Sequence, residues 1–235
     1  MVKMKKKIFI GIGIVAAIIV GIIVFMVISD LKQEDKLKEE MAYIDELVTK
    51  ENPDKDEINK VLERTVTKKD YQTVEKAYKN YLKDCFDTIL KIRNIFEDER
   101  ITKSLTAENY KEDGPDFMQT KTYLVETKTQ LEECKTQYAE FFTEEKAMSY
   151  ISDKGLDSYY IDLYKNEIIG DIEKEGEDKT VENSINDIIE MLHISEDVIN
   201  FLSTNKNSWS IEDDNIVFTK DSLADKYDEL ISRLK

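Results

Sequence analysis

Among the side chains able to do chemistry in this 235-residue chain, two cysteines, one histidine and 50 carboxylates are the ones whose placement is informative. Cys85 and Cys134 lie on two long amphipathic stretches joined through the turn signal Gly114-Pro115. Residues equally far from a turn come level on antiparallel helices, and the midpoint of this pair falls near residue 109 or 110. A disulfide there would clamp a helical hairpin, and an extracytoplasmic location permits one. Two buried thiols acting as small hydrophobes suit the same positions equally well. His193 stands alone, without an HExxH pattern, so a zinc site has no obvious ligand set. The chain also lacks a nucleophile-elbow sequence and a phosphate-cradling glycine loop. Two carboxylates for glycoside hydrolysis need only meet in space, yet a glycine-poor helical chain offers no evident cleft. The expectation is a non-enzyme with no catalytic residue, no cofactor and no metal.

Two further stretches raise ligand chemistry. The segment DIEKEGEDKTVE, Asp171 to Glu182, resembles a calcium-binding EF-hand loop, with Asp171, Glu173 and Glu175 at positions one, three and five, Gly176 at six and Glu182 at twelve. Glutamates at three and five crowd the coordination sphere. Asp178 replaces the usual aliphatic residue, and Lys179 adds a positive charge. These departures favour a solvated acidic turn. Tyr159, Tyr160 and Tyr164 suggest an aromatic platform, but packing with hydroxyls reaching water is the more ordinary use of tyrosine.

Charge narrows the partners. Four of the 34 basic residues precede Ile8, so the chain beyond residue 28 carries all 50 acidic residues against 30 basic ones. Such a surface repels phosphate backbones and anionic headgroups, which argues against nucleic acid.

The elements that must position these residues read as helices. Glycine and proline are scarce beyond residue 28, where an all-β or α/β fold would need many turn punctuators. Leu37, Met41, Ile44 and Val48 fall at helical spacing, and Asn52-Pro53 breaks that helix. Ile58, Val61, Leu62 and Val66 mark a short second helix, and Thr67 with Asp70 offers a capping box for the next. Tyr71, Val74, Tyr78, Tyr81, Cys85, Ile92 and Ile95 then trace a long apolar stripe broken only at Thr88. The chain loosens after Arg100, and Asp116 is positioned to cap a fourth helix through Phe117, Leu124, Leu131, Tyr138 and Phe141. Further helices carry Tyr160 to Ile168 and Ile185 to Leu192, with Ser195 as cap of a continuation. Trp209–Ile211 and Ile216–Phe218 read as a small β-hairpin docked on the helices, with Trp209 largely buried against apolar residues such as Leu202, Phe218 or Leu223.

The first stretch of the chain decides where this domain works. Ile8 to Ile28 contains 21 residues with no charge, proline or polar side chain, roughly 32 Å as a helix. That is longer than the apolar region of a cleavable signal. Lys3, Lys5, Lys6 and Lys7 mark its cytoplasmic side. The expected layout is a cytoplasmic tail at 1–7, an anchor at 8–28, a juxtamembrane helical stalk at 29–66 and a helical bundle domain with its β-hairpin at 67–235. The fold class is thus mainly α: one transmembrane helix plus an extracytoplasmic antiparallel bundle. Gly13, Ala17 and Gly21 recur every four residues, a spacing that lets transmembrane backbones pack closely.

The lysine-led anchor MVKMKKK, the Lys/Ile/Asn/Glu-rich composition and the run FLSTNKNSWSIEDDNIVF followed by SLADKYDELI resemble uncharacterised single-pass, extracytoplasmic helical proteins of low-GC Gram-positive bacteria. The combined expectation is a cell-envelope structural or interaction protein, integral to the membrane, meeting a protein partner or a second copy through a helical surface. An envelope enzyme or ligand-binding protein with a carboxylate-lined site is the alternative.

Overall fold

The computed structural model describes residues 33, 36, 39–40, 43–44, 46–47, 50, 54–165 and 179–234. The expected anchor at 8–28, with Gly13, Ala17 and Gly21, lies outside them, as do residues 171–178 of the acidic loop. Among the described residues no helix is long and apolar enough to cross a membrane.

The fold is mainly helical with one small sheet. In chain order the elements are α1 (Lys55–Glu63), α2 (Asp70–Glu97), α3 (Glu99–Lys103), α4 (Ala107–Glu112), α5 (Met118–Phe141), α6 (Glu144–Met148), α7 (Thr180–Thr204), β1 (Trp209–Glu212), β2 (Asn215–Phe218) and α8 (Asp221–Ser232). Residues 158–165 are helical as well. Two compact units share these elements. The described residues within Met1–Lys91 and Lys135–Ser184 form the first, and Ile92–Cys134 with Ile185–Lys235 the second. The division falls inside α2, α5 and α7.

In the first unit α1 starts where Asp54 accepts the N–H groups of Asp56 and Glu57, and it buries Ile58, Val61 and Leu62. The stripe expected on α2 is observed: Tyr71, Val74, Tyr78, Tyr81 and Cys85 are buried, joined by Leu82, Phe86 and Ile89. Each such side chain removed from water contributes about 1.5–3 kcal/mol. Thr88 interrupts the stripe at little cost, because its hydroxyl donates to the Asp84 carbonyl at 2.9 Å within the same helix. Tyr81 fastens the unit, its hydroxyl on the Phe141 carbonyl at 2.8 Å and its ring edge-on to Phe141 and Tyr150. Tyr164 likewise donates to Ala147. Where it is described, the segment expected as a juxtamembrane helical stalk contributes side chains to this unit. Ile44 and Leu47 are buried, and Tyr43 donates to Glu57 at 2.8 Å.

The second unit differs from expectation at its caps. The loose stretch after Arg100 contains two short helices: Asp98 caps α3 and Thr106 caps α4. The carboxylate that receives the first N–H groups of α5 is Asp113, not Asp116; it accepts from Thr120 at 2.7 Å and from Gln119 at 3.3 Å. Asp116 pairs with Lys206 instead. The reason is backbone geometry, since Phe117 takes φ of 55° and turns the chain after the cis Gly114-Pro115 bond. Ser195 is not a cap either. Its hydroxyl donates back to Met191 and α7 runs unbroken through it.

The hairpin pairs Trp209 with Phe218 and Ile211 with Ile216, as the alternation predicts. Asp213 and Asp214 both take positive φ, the pattern of a tight turn whose twist suits a hairpin. Trp209 is largely, though not completely, buried, as expected. Its indole N–H donates to the Leu202 carbonyl at 2.8 Å, and its ring stacks on Phe117 with centroids 5.9 Å apart. Phe218 meets Phe201 and Tyr227, so β2 rests on both α7 and α8.

Candidate functional site

The densest chemistry in the described residues is a buried charge cluster in the first unit. Glu40, Glu75 and Lys79 are 4%, 1% and 2% exposed. The Lys79 ammonium donates to Glu40 at 2.6 Å and to the carbonyls of Val61 and Arg64 at 3.0 Å, and it pairs with Glu75 at 2.9 Å. Glu40 also receives the Arg64 guanidinium through Nε and NH2. Glu75 accepts the N–H groups of Val66 and Thr67 and the Thr67 hydroxyl. Thr67 therefore serves Glu75 and is no capping box for α2.

Burial alone raises a carboxyl pKa. Here it is outweighed: Arg64 and Lys79 pull Glu40 below its ordinary value, and Thr67, Lys79 and the Val66 N–H do the same for Glu75. Two negative and two positive charges balance within the cluster. Every one of these groups is engaged internally and three of the four side chains are hidden from water, with only Arg64 reaching the surface. The chemistry of the cluster is that of a fastener between α1, α2 and the helical residues around Glu40.

The residues singled out in the sequence are scattered. Cys85 belongs to the first unit and Cys134 to the second, and both are buried thiols. Burial, aided by the Asp84 charge, pushes Cys85 up to about 12 from 9.0. At pH 8 that leaves roughly a thousandfold less thiolate than an ordinary cysteine. Iodoacetamide should therefore leave Cys85 unmodified in the folded protein and label it in urea. Rapid labelling without denaturant would show that this part of the core opens readily.

His193 projects from α7 with its side chain 57% exposed, 3.8 Å from the Glu196 carboxylate. Of the three tyrosines Tyr164 is buried, while Tyr160 meets both Tyr71 and the exposed Tyr159 edge-on, each at 5.2 Å between centroids. At the described end of the acidic loop, Glu182 pairs with Lys179 at 3.0 Å. No group of three or more acidic, histidine or cysteine side chains among the described residues is placed to hold a metal.

The second unit offers two surface features. One is an open groove of about 360 Å³ edged by Arg100, Lys103, Glu108, Asn109 and Tyr123. Its cations are engaged: Arg100 with Asp98 at 2.7 Å and Lys103 with Glu99 at 2.9 Å, and the Arg100 guanidinium covers the Tyr123 ring at 4.3 Å. The other is a stripe on α5. Met118 and Val125 are 70% and 51% exposed in a chain that is 36% charged. Thr122 and Thr129 complete a four-three-four spacing, the periodicity of a helix–helix seam. Both threonine hydroxyls donate to carbonyls of their own helix, Met118 and Val125 respectively, at 2.9 Å. The stripe is thereby stripped of free polar atoms. The opposite side of α5 is buried at Thr120, Leu124, Thr127 and Leu131, and the flank beside the stripe is fixed to α7 by Lys121–Ser203 at 2.7 Å and Lys128–Glu196 at 2.5 Å.

Sequence reasoning missed both the charge cluster and the stripe. Glu75 and Lys79 are four apart, the signature of an ordinary surface ion pair, and only burial distinguishes them. The stripe was readable as Met118, Thr122, Val125 and Thr129, but threonine looks polar until its hydroxyl is seen turned inward. No protein-family model, curated protein or solved structure matches the chain.

Proposed function

We propose that this chain is a membrane-anchored interaction protein of a bacterial cell envelope, its helical domain outside the cytoplasm and its activity the binding of a protein partner or a second copy of itself. The anchor rests on the 21-residue apolar run and its lysine flank. The binding role rests on one observation above all, the exposed Met118–Val125 stripe on a helix whose opposite side is buried and whose flank is bonded to α7. A helix so placed recognises a partner by laying an apolar seam against another helix or groove. The carboxylate-site alternative has less support, because Glu40 and Glu75, the buried carboxylates that converge among the described residues, are consumed by internal partners.

A photo-crosslinking residue at Val125 in the full chain, expressed in intact cells, tests the reading. It should yield one defined adduct, absent when the same residue replaces exposed Gln130. An adduct of twice the chain's mass identifies self-association. In the same background, Met118→Lys with Val125→Lys should abolish the adduct while leaving stability within about 0.5 kcal/mol, as for surface changes away from structural features. Equal adducts from both positions, or none from either, would remove α5 as the binding face.

A further inference from the structure

The charges that border the α5 stripe specify what covers it, given that the stripe is the binding face proposed above. Met118 and Val125 occupy d positions of a heptad, and Thr122 and Thr129 its a positions, with both hydroxyls tied to their own helix. The same register puts Lys121 and Lys128 at g and Glu126 and Glu133 at e, so one edge of the seam is basic and the other acidic. All of these residues belong to the second unit. The two glutamates are exposed and enter no ion pair among the described residues. Lys121 donates to the neutral Ser203 hydroxyl, and the carboxylate that feels its charge, Asp113, is occupied at the start of α5. Lys128 is shared with Glu196 and contributes less. Glu132 takes the next d position and ends the apolar run.

A second copy fits these edges in one direction only. Where two such helices lie parallel and in register, each g residue faces the e residue five positions on in the other copy. Lys121 then meets Glu126, and Lys128 meets Glu133, on both edges. Antiparallel helices would set g against g and e against e, lysine on lysine and glutamate on glutamate. A partner helix of uniform charge would satisfy one edge and be repelled by the other. From Met118 to Thr129 the seam runs only about 18 Å. Copies anchored in one membrane are held at high effective concentration, and there a short seam is enough. We propose that the stripe is covered by the same stripe of a second copy, in a parallel two-fold seam clasped by Lys121 of each copy on Glu126 of the other.

The test places single cysteines at the two ends of the seam, Met118→Cys and Thr129→Cys, in the full chain in membranes of expressing cells under mild oxidation. The native Cys85 and Cys134 are buried, so the added thiol reports. Identical positions meet in a parallel seam, and each variant alone should form a disulfide-linked dimer. Crosslinking only when the two variants are co-expressed would mean antiparallel helices and overturn the proposal. Lys121→Glu should lower the crosslinked fraction at least about threefold, as the loss of two exposed ion pairs implies. Adding Glu126→Lys should restore it, which assigns the effect to the edge pairs and not to the lost Lys121–Ser203 bond. A swap that fails to restore crosslinking would remove the pairing. No dimer from either variant, alone or together, would exclude a second copy as occupant. The photo-adduct from Val125 is read separately: an adduct of another mass keeps α5 as a binding face while this proposal falls, and no adduct removes both.

Discussion

Lys79→Met should destabilise the first unit by about 3–5 kcal/mol, the range for removing one partner of a buried ion network. The size follows from what is left behind. Glu40 and Glu75 would remain hidden from water, Glu40 with Arg64 alone and Glu75 with Thr67 and the Val66 N–H. The carbonyls of Val61 and Arg64 would also lose their shared donor. Replacing Glu40, Glu75 and Lys79 together with apolar residues of similar volume should be far milder, because no charge is then stranded. Urea denaturation followed by circular dichroism separates the two variants. A single variant as stable as the wild type would mean that the cluster is hydrated in solution.

The same cluster sets an acid limit. Both carboxylates have folded pKa values below the ordinary 4.5, so the folded state favours their charged form. That contribution is complete above about pH 4.5 and is lost as the pH falls through the depressed folded values. Stability should therefore be insensitive to these groups near neutrality and decline in more acidic solution. The triple apolar variant should lose much of this decline, which a pH series of urea midpoints measures directly.

Helices and hairpin were legible because each is written in local periodicity. The α2 stripe from Tyr71 to Cys85 and the pairing of Trp209 with Phe218 need only side-chain alternation to be read. What could not be read depends on through-space partners. Asp113 and Asp116 are equivalent as capping residues in sequence, and only the positive φ of Phe117 decides between them. Thr67 looks like a cap because Asp70 follows it, yet a carboxylate eight residues away takes both its donors. The segment at 29–66 reads as a stalk because its apolar residues fall at helical spacing directly after the expected anchor. Ile44, Leu47 and the engaged Glu40 show that a sparse face suffices when an ion pair completes it. Candidate chemistry was the least legible, since the cysteines and His193 stand out by rarity whereas Glu75 and Lys79 resemble many other charged residues.

Trp209→Ala should lower stability by about 3 kcal/mol, the lower end of the range for truncating a large aromatic, since the ring is not completely buried. For a chain of this size that corresponds to a drop in Tm of roughly 6–12 °C. The loss is not confined to area. The indole N–H holds the Leu202 carbonyl near the end of α7, while the ring stacks on Phe117 and meets Tyr110 edge-on. Those two aromatics flank the Gly114 turn that leads into α5, so the tryptophan joins the hairpin to the turn. Gly114→Ala probes the same junction with Trp209 still present. A methyl group there would overlap the Tyr110 carbonyl and come within 3.1 Å of the indole and 3.2 Å of Phe117. Overpacking of that kind costs about 1–3 kcal/mol, and here the obstruction is backbone and cannot rotate aside. Both variants should thus melt early, and the double variant should lose nearly the sum, because removing the indole relieves only its own 3.1 Å contact and leaves the clash with the Tyr110 carbonyl in place. If Trp209→Ala instead melts with the wild type and abolishes the adduct formed from Val125, the indole belongs to the binding surface and the junction is held by Phe117 and Tyr110 alone.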